Sequence, residues 1–158
     1  MISDLIESWH IHNRINLYLL DAIPLEALDS KIASYSRSVA VIFAHLHAVR
    51  IAWIEPADAE LASDLKKIPV RSKFEQATIN HDILRESLTA SGDAMAILLQ
   101  RGFEKGRISG FKPHPGAFLA YLIAHEAHHR GEIGIILTES GHPLPKDVDF
   151  ALWDWDRG

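Results

Sequence analysis

The sequence predicts an all-α protein, a four-helix bundle with a long connection between its second and third helices. Three observations carry this. Apolar residues recur at three- and four-residue spacing in four separate segments, the signature of one buried helix face. Helix stop signals (Pro or Gly) follow three of those segments. The 158 residues are 47% apolar and 23% charged, the composition of an ordinary globular domain, so residues 1–158 are read as one domain.

In the first segment Ile2, Leu5, Ile6, Trp9, Leu17 and Leu20 form a stripe, with Ser3 as the expected N-cap and Pro24 as the stop. The second carries Val39, Ile42, Leu46, Val49 and Trp53 behind a cap at Ser36 or Ser38, and Pro56 is expected to end it. The third runs from about Asn80 to Phe103 on Leu84, Leu88, Met95 and Leu98. The fourth presents Phe118, Leu119, Leu122, Ile133, Ile136 and Leu137; Pro115 suits its first turn, and Gly141 and Pro143 suit its end. Between the second and third lies Glu55 to Ile79, long for neighbouring antiparallel helices, so a crossover stays open. The aromatic tail Leu152-Trp153-Asp154-Trp155 is expected to pack on the bundle or in an interface.

Composition narrows the chemistry. With no cysteine there is no disulfide, thiolate metal site or cysteine nucleophile. A net charge of −5 gives no general attraction to nucleic acid. The start lacks the basic and apolar regions of a signal peptide, and the uncharged stretch Pro113 to His125 is too short to span a bilayer, so a cytoplasmic protein with no membrane partner is expected. Ten histidines outnumber the Phe and Tyr together, and histidine is the commonest metal ligand.

His125-Glu126-Ala127-His128-His129 falls inside the fourth helix. His125 and His129, at i and i+4, lie one turn apart on one face and can share a metal. His128 is rotated off the stripe. On the second helix His45 lies about 80° and His47 about 120° from the stripe centre, a small margin favouring His45 as third ligand. The other reading is a set of buried, hydrogen-bonded histidines. His10, His81, His114 and His142 have no evident partner and read as surface or capping residues.

The segments Phe43 to Trp53, with His45-Leu46-His47, and Ala124 to Ile133, with His125-Glu126-Ala127-His128-His129, resemble the two signatures of the DinB/YfiT-like family. Trp9 to Asp21, Gly141 to Pro145 and Leu152 to Trp155 resemble one branch of it. The resemblance implies a four-helix bundle holding a divalent ion, Zn or Ni foremost, on His45, His125 and His129. Some relatives implied by it are thiol S-transferases or thiol-dependent isomerases using a low-molecular-weight thiol. The expected partners are thus a small-molecule substrate or thiol, and a second copy of the chain in a homodimer. Three imidazoles leave coordination positions open, as catalytic sites do, and a divalent ion lowers the pKa of a coordinated thiol or water. The alternative is a non-catalytic, metal-stabilised bundle acting through protein contacts.

His125, Glu126 and His129 also match H-E-x-x-H, the zincin protease motif. No active-site sheet or peptide groove is evident, and the third histidine lies far upstream, which argues against proteolysis. Glu126 and Arg50 both point inward and are the candidate catalytic pair, to orient substrate or stabilise charge; they could instead pair with one another. His12, Asn13 and Asn16 fall on the inner side of the first helix and read as structural polar residues bonded between helices, with the lining of a polar pocket the alternative. Ser87, Ser91 and Gly92 allow close helix packing or leave room for substrate. Two basic clusters, Lys66-Lys67 with Arg71 and Lys73, and Arg101, Lys105, Arg107 and Lys112, flank loops and read as solvated surface, with anionic-cofactor binding the alternative.

Overall fold

The computed structural model of the chain describes residues 1–34 and 36–156. Every regular element among them is helical: α1 (Ile2–Ala22), a 3-10 turn (Leu25–Ala27), α2 (Val39–Ala57), α3 (Ala59–Ala62), α4 (Lys73–Ala77), α5 (His81–Lys105), α6 (Pro115–Glu139) and α7 (Lys146–Ala151). The four expected segments are the four long helices, α1, α2, α5 and α6. Both α1 and α2 pack on α5 and on α6, and α5 packs on α6.

The helix ends follow local chemistry, with two departures. Met1, not Ser3, caps α1; Ser3 lies inside the helix, where its hydroxyl donates to Asp4. Pro56 does not stop α2 but sits inside its last turn, where one lost hydrogen bond is tolerated. Of the two candidate caps on α2, Ser38 is used: its Oγ accepts the Val41 N–H at 3.3 Å. Asn80 caps α5 through Ile83, and His114 caps α6 through Ala117, with Pro115 in the first turn. The long connection holds two short helices that lack any repeated apolar spacing, α3 and α4, the latter closed by a capping box between Ser72 and Glu75. By length and composition α2 could cross a membrane, yet here it is a core helix whose Arg50 and His47 are buried among its neighbours.

The core is divided. Toward one end Leu19, Leu20, Phe43, Leu46, Leu88 and Ile133 cluster; toward the other, Trp9, Ile54, Met95, Leu99, Phe118 and Leu122. On each long helix a polar residue lies in sequence between the two sets: His12 and Asn16 on α1, Arg50 on α2, Ser91 on α5, and Glu126 on α6. A buried polar layer therefore crosses the middle of the helices. The histidines of α6 lie at the same level.

Candidate metal centre

Continuous helix from Pro115 to Glu139 keeps His125 and His129 one turn apart, with ring centroids at 4.7 Å. Packing of α2 on α6 brings in His45, 5.5 Å from the His125 ring and 4.9 Å from the His129 ring. One nitrogen from each residue lies within 4.8 Å of the other two. His129 is buried, whereas His45 and His125 are half-buried, so one side of the cluster reaches solvent.

The donor chemistry fits a divalent ion. Burial, then the positive charge of Arg37 and the neighbouring imidazoles, lowers the His45 pKa to about 4. Burial and then His129 push His125 down as well. Both rings are therefore neutral at pH 7 and offer lone pairs. His129 Nδ1–H donates to Glu132 Oε2 at 2.8 Å, which fixes its tautomer and leaves Nε2 free. The buried Nδ1 of His125 has no hydrogen-bond partner among the described residues, an unmet need that a tautomer presenting that nitrogen to a cation would satisfy. Three imidazoles, one of them oriented by a carboxylate, suit Zn and the later first-row metals.

The sequence profile of the DinB family matches residues 1–155. The chain belongs to the DinB family. A comparison with curated proteins finds no significant match. In this DinB protein the cluster unites the three histidines expected as ligands. The angular argument that chose His45 over His47 gives only part of the reason, since His47 is the more buried at 1% exposure. What separates them is partnership: His47 Nε2 is tied to the Lys66 carbonyl at 2.7 Å, in the connection after α2. His128 is exposed with its ring edge against His129 at 5.2 Å, and His128, His129 and Glu132 form a second, more exposed group of ligand type. Of the histidines read as lacking a partner, His81 departs from expectation: Nε2 donates to the Ile23 carbonyl at 2.6 Å, joining the start of α5 to the end of α1.

Glu132 and Arg37 escaped the sequence reading. Glu132 was legible as the carboxylate three residues beyond a ligand histidine, on the same helix face. Arg37 lies in the loop before α2 and had no periodic signal; only the fold brings its charge to His45.

Glu126 and Arg50 occupy the buried polar layer of the DinB core, 1% and 0% exposed. Arg50 Nε and Nη2 donate to the Glu126 oxygens at 2.7 and 2.8 Å, the two-pronged pairing of guanidinium and carboxylate. Asn16 Nδ2 and His12 Nε2 also donate to Glu126, at 2.7 and 2.8 Å. Arg50 further reaches Asn13 Oδ1 at 2.8 Å and the Leu88 carbonyl at 2.9 Å, and stands over the Trp9 ring at 4.9 Å. Arg130 Nη1 donates to Asn16 Oδ1 and His12 Nδ1, which makes His12 a neutral imidazole with Nε2 protonated. Burial, the largest influence, lowers the His12 pKa despite Glu126. Burial alone would raise Glu126, but Arg50 and His12 outweigh it and hold the carboxylate well below its usual range. Gly92 is explained by close packing: a Cβ there would lie 2.4 Å from Asn13 Nδ2.

Proposed function

We propose that this DinB protein is a four-helix-bundle metalloenzyme in which His45, His125 and His129 hold one divalent ion, with chemistry of the thiol S-transferase or hydrolase type. The observation that carries the reading is three imidazoles converging on one point while His45 and His125, both held neutral by burial, stay partly open to solvent. A sealed cluster would favour a purely structural ion; an open side favours an exchangeable position for substrate. When bound, the ion supplies a Lewis acid that lowers the pKa of a coordinated thiol or water.

The chain's own residues do the rest. Glu132 orients His129, and Arg37 places a positive charge beside His45 that discourages its protonation and can draw an anionic ligand. Glu126 and Arg50, sealed from solvent, are positioning residues in this reading: they clamp α2 to α6, and so His45 to the other ligands. With no cysteine and no G-x-S-x-G elbow, the chain offers no evident nucleophile of its own.

A cytoplasmic homodimer is part of the proposal. An apolar groove of about 640 Å³ lies between α6 and the tail, lined in part by Ile135, Leu144, Leu152 and Trp153. Trp153 is 81% and Ile135 59% exposed, surface that a second copy would cover. Light scattering should then give twice the 17.7 kDa chain mass.

The deciding experiment is metal analysis with His129→Ala. The purified protein should carry about one ion per chain and the variant none. Turnover of a thiol-plus-electrophile pair should vanish on chelation and return on reloading. Full metal content in a variant lacking both His125 and His129 would overturn the site; metal-dependent stability without any turnover would leave the non-catalytic alternative.

A further inference from the structure

The loop between α5 and α6 has a fixed shape. Gly106 closes α5 in the left-handed region (φ 73°), and Arg107 donates its N–H back to the Gly102 carbonyl at 3.0 Å. Gly110, with φ 82°, turns the chain so that the Phe111 N–H reaches the Ile108 carbonyl at 3.2 Å. Ile108 then lies flat on α5: a Cβ at Gly102 would stand 2.1 Å from Ile108 Cδ1. A polar cavity of about 570 Å³ opens between this loop, α5 and the end of α2.

Four cations line that cavity. Arg101 and Lys105 come from the last turns of α5, and Arg107 and Lys112 from the loop, facing a single carboxylate, Asp58. Asp58 is already engaged, accepting the Leu61 N–H at 3.1 Å and binding Arg101. Lys105 adds to the positive charge felt by the same Asp58, and no carboxylate among the described residues lies within ion-pair distance of Lys105, Arg107 or Lys112. A chain of net charge −5 thus gathers cations in one concavity without matching countercharge. Such a field is relieved by an anion.

The cavity also leads somewhere. Phe111, on its wall, stands 5.8 Å from the Trp53 ring and 5.9 Å from the Tyr121 ring. Tyr121 in turn stacks beside the candidate ligand His125 at 6.2 Å. Trp53, Phe111 and Tyr121 are all at least partly exposed, so a run of aromatic residues lies between the basic cavity and the candidate metal centre.

We propose that Arg101, Lys105, Arg107 and Lys112 bind the polyanionic end of a small ligand, clustered carboxylates or a diphosphate, whose other end passes over Tyr121 to the metal centre. The passage to the metal rests on the metal–thiol reading above; the anion site does not. It selects, among low-molecular-weight thiols, those that carry several negative charges.

Two measurements test it. In calorimetry on metal-free protein, inorganic pyrophosphate or citrate should bind at one site and weaken with added salt. The variant Arg107→Gln/Lys112→Gln, which removes two unpaired surface charges, should weaken that binding about tenfold or more. Lys66→Gln/Lys67→Gln, in the other basic cluster, should stay within about twofold. Preference for pyrophosphate marks a phosphate ligand and preference for citrate a carboxylate one. Binding of neither, or equal weakening in both variants, overturns the anion site. In cobalt-loaded protein, the visible spectrum should then be titrated with glutathione, which carries two carboxylates, and with uncharged 2-mercaptoethanol. The first variant should raise the half-saturation for glutathione about tenfold and leave that for 2-mercaptoethanol unchanged. Equal behaviour of the two thiols overturns the spanning ligand. If neither thiol perturbs a fully loaded cobalt site, the thiol reading falls and the spanning ligand with it, while the calorimetry alone decides the anion site.

Discussion

The sharpest test of the buried layer is Glu126→Gln. Glu126 accepts four hydrogen bonds, two from Arg50 and one each from His12 and Asn16. Glutamine keeps the shape, removes the charge and turns one acceptor oxygen into a donor, so an NH₂ must face groups that are themselves donors. The Arg50 guanidinium, 0% exposed, loses its only carboxylate partner among the described residues and cannot reach water. Breaking a buried pair from one side costs about 3–5 kcal/mol. For a domain of this size each kcal/mol lowers Tm by roughly 2–4 °C, so the variant should melt on the order of 10 °C below wild type.

Thermal and urea denaturation of metal-free protein measure this directly. Arg50→Met should be comparably destabilised. The double variant Arg50→Met/Glu126→Gln should lose less than the two single losses added together, since neither charge is left alone, with a coupling of about 1–3 kcal/mol. Metal affinity at low temperature should fall in all three, because the ligands are intact but the pairing that aims His45 and His125 at one point is gone. A Glu126→Gln protein that melts within about 2 °C of wild type would refute the positioning role. If that same protein lost turnover while staying stable, Glu126 would have to touch the reacting groups.

Three further outcomes follow from the candidate metal centre and its surroundings. Glu132→Ala frees His129 Nδ1 from its carboxylate and should weaken metal affinity about 10- to 100-fold without unfolding, read by competition with a chromophoric chelator. His47→Ala and His128→Ala should both keep about one ion per chain, because His47 is held by the Lys66 carbonyl and His128 faces solvent; loss of all metal from a folded variant would reverse the ligand choice. Metal-free protein should lose stability as pH falls below about 6.5. Burial lowers His12, His47 and His45 in the fold, so the unfolded chain binds protons first; the buried His12 and His47 each contribute a loss approaching about 1.4 kcal/mol per pH unit between unfolded and folded pKa, while half-exposed His45, screened by solvent, contributes less, down to about 4. Stability independent of pH between 6.5 and 5 in urea titrations would contradict the neutral, buried histidines.

How much was legible in the sequence depended on the period of the signal. The four long helices stood out because their apolar spacing repeats over 19 to 25 residues, whereas α3, α4 and α7, of four to six residues, are shorter than two helical turns and leave no periodic trace. His125 and His129 were legible because helix geometry alone makes i and i+4 neighbours. The third ligand was a choice between two residues on either side of Leu46, and rotation about α2 could rank but not separate them; the Lys66 carbonyl that occupies His47 belongs to a connection whose path no local pattern encodes. The inward charges of Arg50 and Glu126 were readable as a conflict between polarity and position. Their resolution was not, because it draws on His12, Asn13 and Asn16 of a third helix.

That layer bears on why the candidate metal centre has the shape it has. A bundle filled with apolar side chains at every level could slide or rotate its helices at small cost, since such contacts are non-directional. Hydrogen bonds to a buried carboxylate are directional, and here they fix the rotation of α2 through Arg50 and of α6 through Glu126 itself. His45 precedes Arg50 by five residues and His125 adjoins Glu126, so the same constraint aims both histidines outward at one point while their neighbours point into the core. Desolvating Glu126 and Arg50 is costly even when they are paired, and an apolar pair of similar volume could give equal stability. An apolar pair would not set the rotation. The buried ion pair thus trades nothing obvious in stability for a defined angle between two helices, and that angle decides whether three imidazoles meet.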